Sequence, residues 1–361
     1  MDSERYNRQL ILQGFGEQAQ KKLATAKVLV VGAGGLGCPA LQYLAAAGVG
    51  RLGIVDDDII SLSNLHRQIL YTTGDLGKLK VTVVKARLTE MNAEVHIVSY
   101  PKRLVRDNIV ELLGEYDVVF DGTDNFKTRY LINDVCAVLK RPLIFAAVSG
   151  YEGQLAVFNV PDENGLATNY RDLFPVEPAV GEIPNCAENG VLGVLPGIIG
   201  MMAAGEIIKL ITGIGKPLIN RLLHYNLLNN EQYELKITKG EDYQLPNSVD
   251  ALLSADIGHR GYIEIDGEQL DSIRKEKSSL CIDVREEHEF PRLDKNIYQQ
   301  FPMSNFNALL EEEINEKNIV LICQHGIRSV AAAEAMHEKY GNTKNIYSLK
   351  GGIAKWHNYL I

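Results

Sequence analysis

The chain has 361 residues and a net charge of −9 at neutral pH, and 46% of its residues are hydrophobic. This length predicts two or three domains, and the composition is typical of a soluble globular protein. The negative charge argues against nucleic-acid binding, which requires a basic surface. Residues 1–8 are polar and no apolar run approaches about 18 residues, so we expect a cytoplasmic protein with neither a secretory signal nor a membrane span.

The first two-thirds of the chain alternate between short apolar runs and helical segments. Runs of about four to eight apolar residues are typical of parallel strands that are covered on both faces. Because crossovers between parallel strands are right-handed, we predict an α/β fold with an open, doubly wound, Rossmann-like and mostly parallel sheet. The apolar runs lie at 27–32, 51–56, 95–100, 117–123 and 142–150, and the helical segments at 36–48, 78–91, 108–115, 127–140 and 190–212.

A second α/β pattern near the C-terminus divides the chain into domains. We predict a first domain at 1–237, a polar linker at 238–260 and a smaller α/β domain at 261–361. Within the first domain, residues 160–190 contain four prolines and show little periodicity. A loop of this length in a compact domain is usually functional.

A glycine-rich turn follows the first predicted strand. Its G-x-G-x-x-G pattern places backbone N–H groups and a helix N-terminus where they can bind a phosphate. Asp56 ends the next strand, 19 residues after Gly37, where a carboxylate that binds a ribose is expected. Taken alone, this pattern supports the binding of NAD as well as that of ATP. The glycines of the pattern are Gly32, Gly34, Gly35 and Gly37.

Polar and cationic residues lie between this strand and the next predicted helix. Asn64 and Arg67 follow the strand that carries Asp56, and Lys80 lies at the start of the next helix. A site that cleaves a triphosphate needs such cations because negative charge develops there in the transition state. A hydride-transfer site has little use for them. For Arg67 or Lys80 taken singly, a solvated surface charge is an equal alternative.

An acidic motif at 121–125 ends another predicted strand. Ligands bind at the carboxyl ends of strands in doubly wound sheets, and a carboxylate such as Asp124 suits magnesium on a nucleotide phosphate. The alternative is that Asp124 or Asn125 caps the helix at 127–140.

Five motifs of the first domain together resemble the ubiquitin-activating-type adenylyltransferases of bacteria, the ThiF, MoeB and HesA family. They lie at 5–9, 32–37, 56–68, 121–125 and 186–193, and the resemblance covers about residues 1–237. It implies that ATP and Mg²⁺ are used to adenylate the C-terminal Gly-Gly carboxylate of a small ubiquitin-like sulfur carrier protein. Molybdopterin, thiamine and tRNA-thiolation pathways use similar enzymes, and the carrier protein could belong to any of these pathways.

The resemblance also implies roles for individual residues. Asp56 would hold the ribose, and Asp124 would bind Mg²⁺. Arg8 matches the arginine that reaches into the partner subunit's site, which implies a homodimer. Cys186 matches a cysteine that forms a thioester or an acyl disulfide in some members, although it could be a small buried residue. The residues that would contact the phosphates are Asn64, Arg67 and Lys80.

The cysteines differ from the family in one respect. Relatives often hold a structural zinc with two C-x-x-C pairs, whereas residues 169–172 lack cysteine at the place of the first pair. No cysteine between Cys186 and Cys281 could supply the second pair, so we expect no structural zinc. Cys38 and Cys136 lie on apolar helix faces, where we expect buried core residues.

The second domain contains a cysteine loop between a strand and a helix. Backbone N–H groups and the helix dipole would stabilise a thiolate or persulfide on Cys323, and Arg328 adds positive charge. With 282–290 and 349–356, this loop resembles single-domain rhodanese sulfurtransferases, although 290–306 departs from their pattern. The loop residues are Cys323, Gln324, His325, Gly326, Ile327, Arg328 and Ser329.

Several alternatives stay open. An NAD-dependent oxidoreductase would also explain the glycine-rich turn and Asp56. The chain could instead be a non-catalytic module that holds a carrier without activating it. The second domain could have a rhodanese fold without activity, and His325 could be an ordinary loop residue rather than a contact of the persulfide. The sulfur donor could be thiosulfate or a cysteine desulfurase.

Overall fold

The computed structural model describes residues 3–178, 189–240, 243–254 and 262–356, which form two compact units. The first unit ends at Ser254 and contains an eight-stranded sheet. Its helices are α1 (Asn7–Leu10), α2 (Gly16–Thr25), α3 (Gly37–Ala47), α4 (Lys80–Met91), α5 (Arg106–Gly114), α6 (Phe126–Val138), α7 (Val194–Thr212) and α8 (Val249–Ser254). Its strands are β1 (Lys27–Val31), β2 (Arg51–Val55), β3 (His96–Tyr100), β4 (Val118–Asp121), β5 (Leu143–Ser149), β6 (Glu152–Phe158), β7 (Arg221–Asn226) and β8 (Glu231–Lys236).

The sheet has the order β3-β2-β1-β4-β5-β6-β7-β8. Strands β1 to β5 are parallel to one another, whereas β6, β7 and β8 continue the sheet as antiparallel strands. The predicted α/β fold with a mostly parallel, doubly wound sheet is therefore confirmed. The carboxyl ends of β1, β2 and β4 lie at one edge, where the glycine-rich turn begins.

Both faces of the sheet are buried at β1, which explains why this strand is apolar at four consecutive positions. Val28 and Val30 belong to the core on one face, with side chains of α3 and α7. Leu29 and Val31 belong to the core on the other face, with side chains of α5 and α6. Successive side chains of a strand point to opposite faces, so a strand with two cores needs an unbroken apolar run.

Helix α7 differs from the expectation that no apolar run approaches the length of a membrane span. It has 19 residues and is long and apolar enough to cross a membrane by length and composition alone. Within this unit it packs against α3 and β5, and 44% of its most apolar stretch is buried. Its charged residues Glu206 and Lys209 form an ion pair, and Glu206 also accepts a hydrogen bond from the Leu218 amide. A helix in the core of a domain can have the same length and composition, and α7 packs against other elements of its unit as such a helix does.

The segment predicted as a linker, 238–260, is partly folded onto the first unit. Helix α8 lies within it, and Leu252 of that helix is buried in the same core as Ile237. The domain limits 1–237, 238–260 and 261–361 stay predictions.

The second unit contains a smaller sheet in which all strands are parallel. Its order is β11-β10-β12-β13-β9, and the segment 290–306 that departs from the rhodanese pattern supplies the edge strand. Its strands are β9 (Ile263–Ile265), β10 (Ser279–Asp283), β11 (Tyr298–Gln300), β12 (Asn318–Ile322) and β13 (Asn345–Leu349). Its helices are α9 (Gly267–Ile273), α10 (Phe306–Glu311) and α11 (Arg328–Tyr340).

Residues 169–172, which lack the first C-x-x-C pair, are held by polar and aromatic contacts. Arg171 donates from Nε and Nη2 to the two oxygens of Asp134, each at 2.7 Å, and its guanidinium also stacks on Tyr243, 4.0 Å from the ring centroid. Asp172 accepts hydrogen bonds from the Gly240 amide at 2.9 Å and from Lys239. These contacts connect the segment to α6 and to the chain beyond β8.

Replacing Arg171 with alanine should lower the free energy of unfolding by about 3 kcal/mol, because the buried Asp134 carboxylate would lose its partner. Lys21→Ala is the matched control, since the Lys21–Glu17 pair is solvent-exposed and its loss should cost less than about 0.5 kcal/mol. Denaturant unfolding of the intact chain measures both. Equal losses in the two variants would contradict a structural role for the Arg171 contacts.

Candidate active sites

The glycine-rich turn packs its backbone directly against the turn that follows β4. A Cβ atom on Gly32 would lie 2.7 Å from the carbonyl oxygen of Gly122, and Gly32 has a positive φ of 95°. A Cβ atom on Gly37 would lie 1.9 Å from the carbonyl oxygen of Gly32. Only glycine allows these approaches, which bring the ends of β1 and β4 together.

The segment that carries Asn64 and Arg67 lies beside this turn, together with the start of α7. A Cβ atom on Gly35 would lie 3.1 Å from Pro196 of α7 and 3.5 Å from Arg67 Cγ. A Cβ atom on Gly34 would meet only the Gln68 side chain, at an ordinary 3.7 Å. The turn is therefore enclosed on one side by residues that follow β2 in the chain.

Asp56 is tied to the glycine-rich turn through its carboxylate. One carboxylate oxygen accepts a hydrogen bond from the Ala33 amide and the other accepts one from the Asp58 amide, both at 2.8 Å. Burial raises the pKa of Asp56, and the nearby Lys80 ammonium opposes that rise. The structure thus brings Asp56 and Lys80 to the same place as the glycines.

Lys80 is not a solvated surface charge. Its side chain is 6% exposed, and its ammonium donates to the Asp58 carboxylate at 2.8 Å. Arg67 is half-buried, and its guanidinium donates to the Ser63 carbonyl at 3.0 Å. Asn64 accepts a hydrogen bond from the Ser61 amide with its side-chain oxygen, so it stabilises the short turn that presents Arg67.

Two aspartates and one asparagine in the motif at 121–125 make different contacts. Asp121 is buried and ion-paired with Arg129 at 3.0 Å. Asn125 is the N-cap of α6, since its side chain accepts a hydrogen bond from the Thr128 amide. Asp124 is exposed and makes no hydrogen bond or ion pair with the residues that the structure describes. The capping alternative therefore applies to Asn125, and the Asp124 carboxylate is open to a ligand.

No group of three or more His, Cys, Asp or Glu side chains in the described parts of the chain could hold a metal by itself. Asp124 is a lone carboxylate, which fits Mg²⁺ bound mainly through substrate phosphates and water, with one or two protein carboxylates.

Two buried side chains that the sequence analysis did not assign to the site also hold the turn. The hydroxyl of Tyr71 donates to the Ala33 carbonyl at 2.8 Å, and the thiol of Cys38 donates to the same oxygen. Burial raises the pKa of the Cys38 thiol to about 12. Cys38 and Cys136 are fully buried, which confirms the expectation that both belong to the core.

Arg8 lies on α1, away from the glycine-rich turn of its own chain. Its neighbour Tyr6 packs on Gly48, and Gln9 donates to the Ala47 carbonyl at 3.0 Å. These contacts are at the C-terminal end of α3, whereas the turn is at its N-terminal end. Arg8 is exposed and has no hydrogen-bond or ion-pair partner within the described residues. Cys186 lies outside the residues that the structure describes.

In the second unit, the cysteine loop surrounds a buried sulfur. Cys323 is 1% exposed, and its Sγ accepts a hydrogen bond from the Gly326 amide at 3.1 Å. Its Sγ also lies 3.5 Å from the Ser329 hydroxyl. A Cβ atom on Gly352 would lie 2.4 Å from the Cys323 carbonyl, so the 349–356 segment packs tightly under the loop. The segment and the loop, which together resemble rhodanese in sequence, are therefore neighbours in the structure.

The charge of Arg328 is paired, which the sequence analysis did not foresee. Its guanidinium donates to both oxygens of Glu289, at 2.6 and 2.8 Å. Arg328 lowers the pKa of Glu289 to about 2, so the pair is charged throughout the physiological range. Gln324 accepts a hydrogen bond from Arg285 at 3.3 Å. The side chains of His325 and Ile327 are exposed.

Comparisons with known proteins find relatives of both units. The ThiF family matches residues 6–245 and the rhodanese-like domain matches residues 266–359. The sulfur carrier protein adenylyltransferase of Thermus thermophilus is 48% identical over 237 residues, covering 65% of this chain and 88% of the relative. The probable adenylyltransferase/sulfurtransferase MoeZ of Mycobacterium tuberculosis is 38% identical, covering 98% of this chain and 92% of the relative.

The crystal structure of E. coli MccB has a TM-score of 0.59 and 20% identity, covering 69% of this chain and 73% of that one, and shows the fold alone. The family and its relatives favour an adenylyltransferase over the oxidoreductase and the non-catalytic module that the glycine-rich turn alone left open. The chain therefore belongs to the ThiF family, and it is an adenylyltransferase with a rhodanese-like sulfurtransferase domain.

Proposed function

We propose that the first unit uses ATP and Mg²⁺ to adenylate the C-terminal Gly-Gly carboxylate of a small ubiquitin-like sulfur carrier protein. The main support for this proposal is the Asp124 carboxylate, which is exposed and has no hydrogen-bond or ion-pair partner among the described residues. Asp124 follows β4, and the turn after β4 packs against the glycine-rich turn. The Thermus relative is named for a sulfur carrier protein, which supports the same class of substrate.

Each of the other residues has a role in this proposal that follows from its position. The glycine-rich turn and Asp56 would bind the ribose and the adjoining phosphate, since the turn offers backbone N–H groups at the start of α3. Lys80 and Arg67 would face the phosphates, where negative charge grows as pyrophosphate departs. Asn64 would act through the turn that presents Arg67. Asp124 would hold Mg²⁺, which neutralises phosphate charge.

In the adenylation step the carrier carboxylate oxygen attacks the α-phosphorus of ATP. A bond forms between the carboxylate oxygen and that phosphorus, and the bond to the β-phosphate oxygen breaks, so pyrophosphate leaves. The products are an acyl-adenylate on the carrier and pyrophosphate. The chemistry needs alignment and charge stabilisation, and no covalent intermediate on the protein.

In the second step the Cys323 persulfide attacks the carbonyl carbon of the acyl-adenylate. AMP leaves, and the carrier is joined to Cys323 through an acyl disulfide. The Cys186 thiolate then attacks the Cys323 sulfur and releases the carrier thiocarboxylate, leaving a disulfide between the two cysteines that an external thiol reduces. A cysteine desulfurase or thiosulfate would supply the sulfur of the persulfide. Fusion of the two domains makes sulfur delivery intramolecular.

We also propose that the protein is a cytoplasmic homodimer in which Arg8 completes the partner's site. Helix α1, which carries Arg8, contacts the C-terminal end of α3, whereas the glycine-rich turn lies at the N-terminal end. The two ends are about 16 Å apart because α3 has 11 residues, and this separation supports a role of Arg8 in the partner's site. Apolar side chains near the start of α7 offer an unburied surface for the contact: Leu192 is 50% exposed and Val194 is 55% exposed. The carrier could serve molybdopterin, thiamine or tRNA-thiolation pathways.

Asp124→Asn should reduce carrier-dependent exchange of pyrophosphate into ATP by about a hundredfold, because the metal supplies several kcal/mol of charge stabilisation. The matched control is Asp107→Asn, since Asp107 is an exposed acid in the first turn of α5. Exchange is measured with labelled pyrophosphate over a range of magnesium concentrations. Near-normal exchange by Asp124→Asn would refute the metal role.

Cys323→Ala should leave pyrophosphate exchange unchanged and abolish thiocarboxylate formation, because only the second step uses this sulfur. Cys281→Ala is the control, since Cys281 is also buried in the second unit and burial raises its pKa to about 11. Mass spectrometry of the carrier reads out the thiocarboxylate. Loss of exchange in Cys323→Ala, with a normal fold, would contradict this division of labour.

Arg8→Ala and Asp124→Asn should each retain about one per cent of the exchange activity or less when expressed alone, and they should complement each other when co-expressed. In the mixed dimer one site keeps its own Asp124 and the partner's Arg8. Random pairing then restores about a quarter of the wild-type exchange activity. Recovery of no activity in purified mixed dimers would show that each subunit uses its own Arg8.

A further inference from the structure

Two fully buried hydroxyl groups lie in a row beneath the Cys323 sulfur. Ser329, in the first turn of α11, and Ser348, on β13, are both 0% exposed. The Ser348 hydroxyl donates to the Ser329 hydroxyl at 2.9 Å, and the Ser329 oxygen lies 3.5 Å from Cys323 Sγ. Ser348 is 19 residues beyond Ser329 and lies outside the cysteine loop.

These two hydroxyls depend on each other and on the sulfur. Burying a hydroxyl group costs free energy unless it is hydrogen-bonded. Within the described residues, the Ser348 hydroxyl is hydrogen-bonded only to Ser329, and the Ser329 hydroxyl only to Ser348 and Cys323. The hydrogen bonds from Ser348 through Ser329 therefore end at the Cys323 sulfur, which takes part in the proposed sulfur transfer.

The direction of the hydrogen bonds changes with the charge of the sulfur. A neutral Cys323 thiol can donate to the Ser329 oxygen, which is the arrangement in the structure. A thiolate can only accept, so Ser329 must then turn its O–H toward the sulfur. The Ser348 hydroxyl already donates to the Ser329 oxygen, which leaves the Ser329 proton free to point at Cys323 and polarises that bond.

We propose that Ser348 is a positioning residue for sulfur transfer, which orients Ser329 so that its hydroxyl stabilises the Cys323 thiolate. This inference rests on the proposed role of Cys323. The thiolate attacks the terminal sulfur of the donor: a bond forms between Cys323 Sγ and that sulfur, the donor's own bond to it breaks, and the donor leaves with the electron pair. The Gly326 amide is the second donor to the thiolate.

The charged groups around the loop are not altered by a change at Ser348. Arg328 is paired with Glu289, and Arg285 is paired with Asp283. Other charged or titratable groups near the loop in the described part of the chain include Glu286, which accepts hydrogen bonds from Ser304, and the exposed His325. They also include Lys355, whose stem packs on Gly351, and the exposed Lys350 that precedes Gly351. A shift in the pH dependence of Cys323 reactivity in a Ser348 variant would therefore come from the lost Ser348–Ser329 hydrogen bond.

The test is the pH dependence of Cys323 alkylation in the full chain, read by mass spectrometry of the peptide that contains it. Ser348→Ala should move the midpoint of the alkylation profile to higher pH and slow alkylation at pH 7 by about three- to tenfold. The plateau rate at high pH should be unchanged, which a general loss of structure would not produce. Ser279→Ala, a half-buried serine on β10, should leave the profile where it is.

A double-mutant cycle tests whether Ser348 acts through Ser329. Ser329→Ala should shift the profile at least as far as Ser348→Ala, and the double variant should shift it no further than Ser329→Ala alone. A Ser348→Ala profile that superimposes on the wild type, or a Ser348 effect that persists without Ser329, overturns the inference. Alkylation does not require sulfur transfer, so this outcome is distinct from a failure of the proposed function, which the Cys323→Ala assay detects.

Discussion

The close backbone contact between the turns after β1 and β4 is the constraint on which the rest of the first site depends. Gly32 lies so near the Gly122 carbonyl that any side chain would displace one of the two strands. This contact places the Ala33 amide where Asp56 accepts its hydrogen bond, and Asp124 follows two residues after Gly122. In the first unit, backbone packing therefore determines where the charged side chains of the candidate site lie.

In the second unit, close backbone packing likewise shapes the surroundings of the Cys323 sulfur. Gly326 and Gly352 let two backbone segments approach each other around Cys323, and the Gly326 amide donates to its sulfur. Lys80 in the first unit and Arg328 in the second are both ion-paired, whereas Arg67 donates to the Ser63 carbonyl. Pairing of Lys80 and Arg328 limits the cost of burying these charged groups.

Residues that act locally could be predicted from the sequence, and residues that act through distant partners could not. The apolar run of β1 and the glycine spacing predicted the sheet and the turn because both depend on neighbours in the chain. The pairing of Arg328 with Glu289 and of Arg171 with Asp134 joins residues 39 and 37 positions apart, with no pattern between them. The antiparallel strands β6 to β8 were missed for the same reason, since pairing direction is set by tertiary contacts. Whether Asp124 or Asn125 caps α6 required the geometry itself.

Adenylation followed by sulfur transfer is tested most directly by mass spectrometry of candidate Gly-Gly carrier proteins after incubation with the intact enzyme, ATP and Mg²⁺. We expect a carrier whose tail gains one AMP while pyrophosphate is released, and whose adenylate is replaced by a thiocarboxylate once a sulfur donor is added. Tight binding of a nicotinamide dinucleotide in place of ATP, with no adenylate on any carrier, would contradict this expectation.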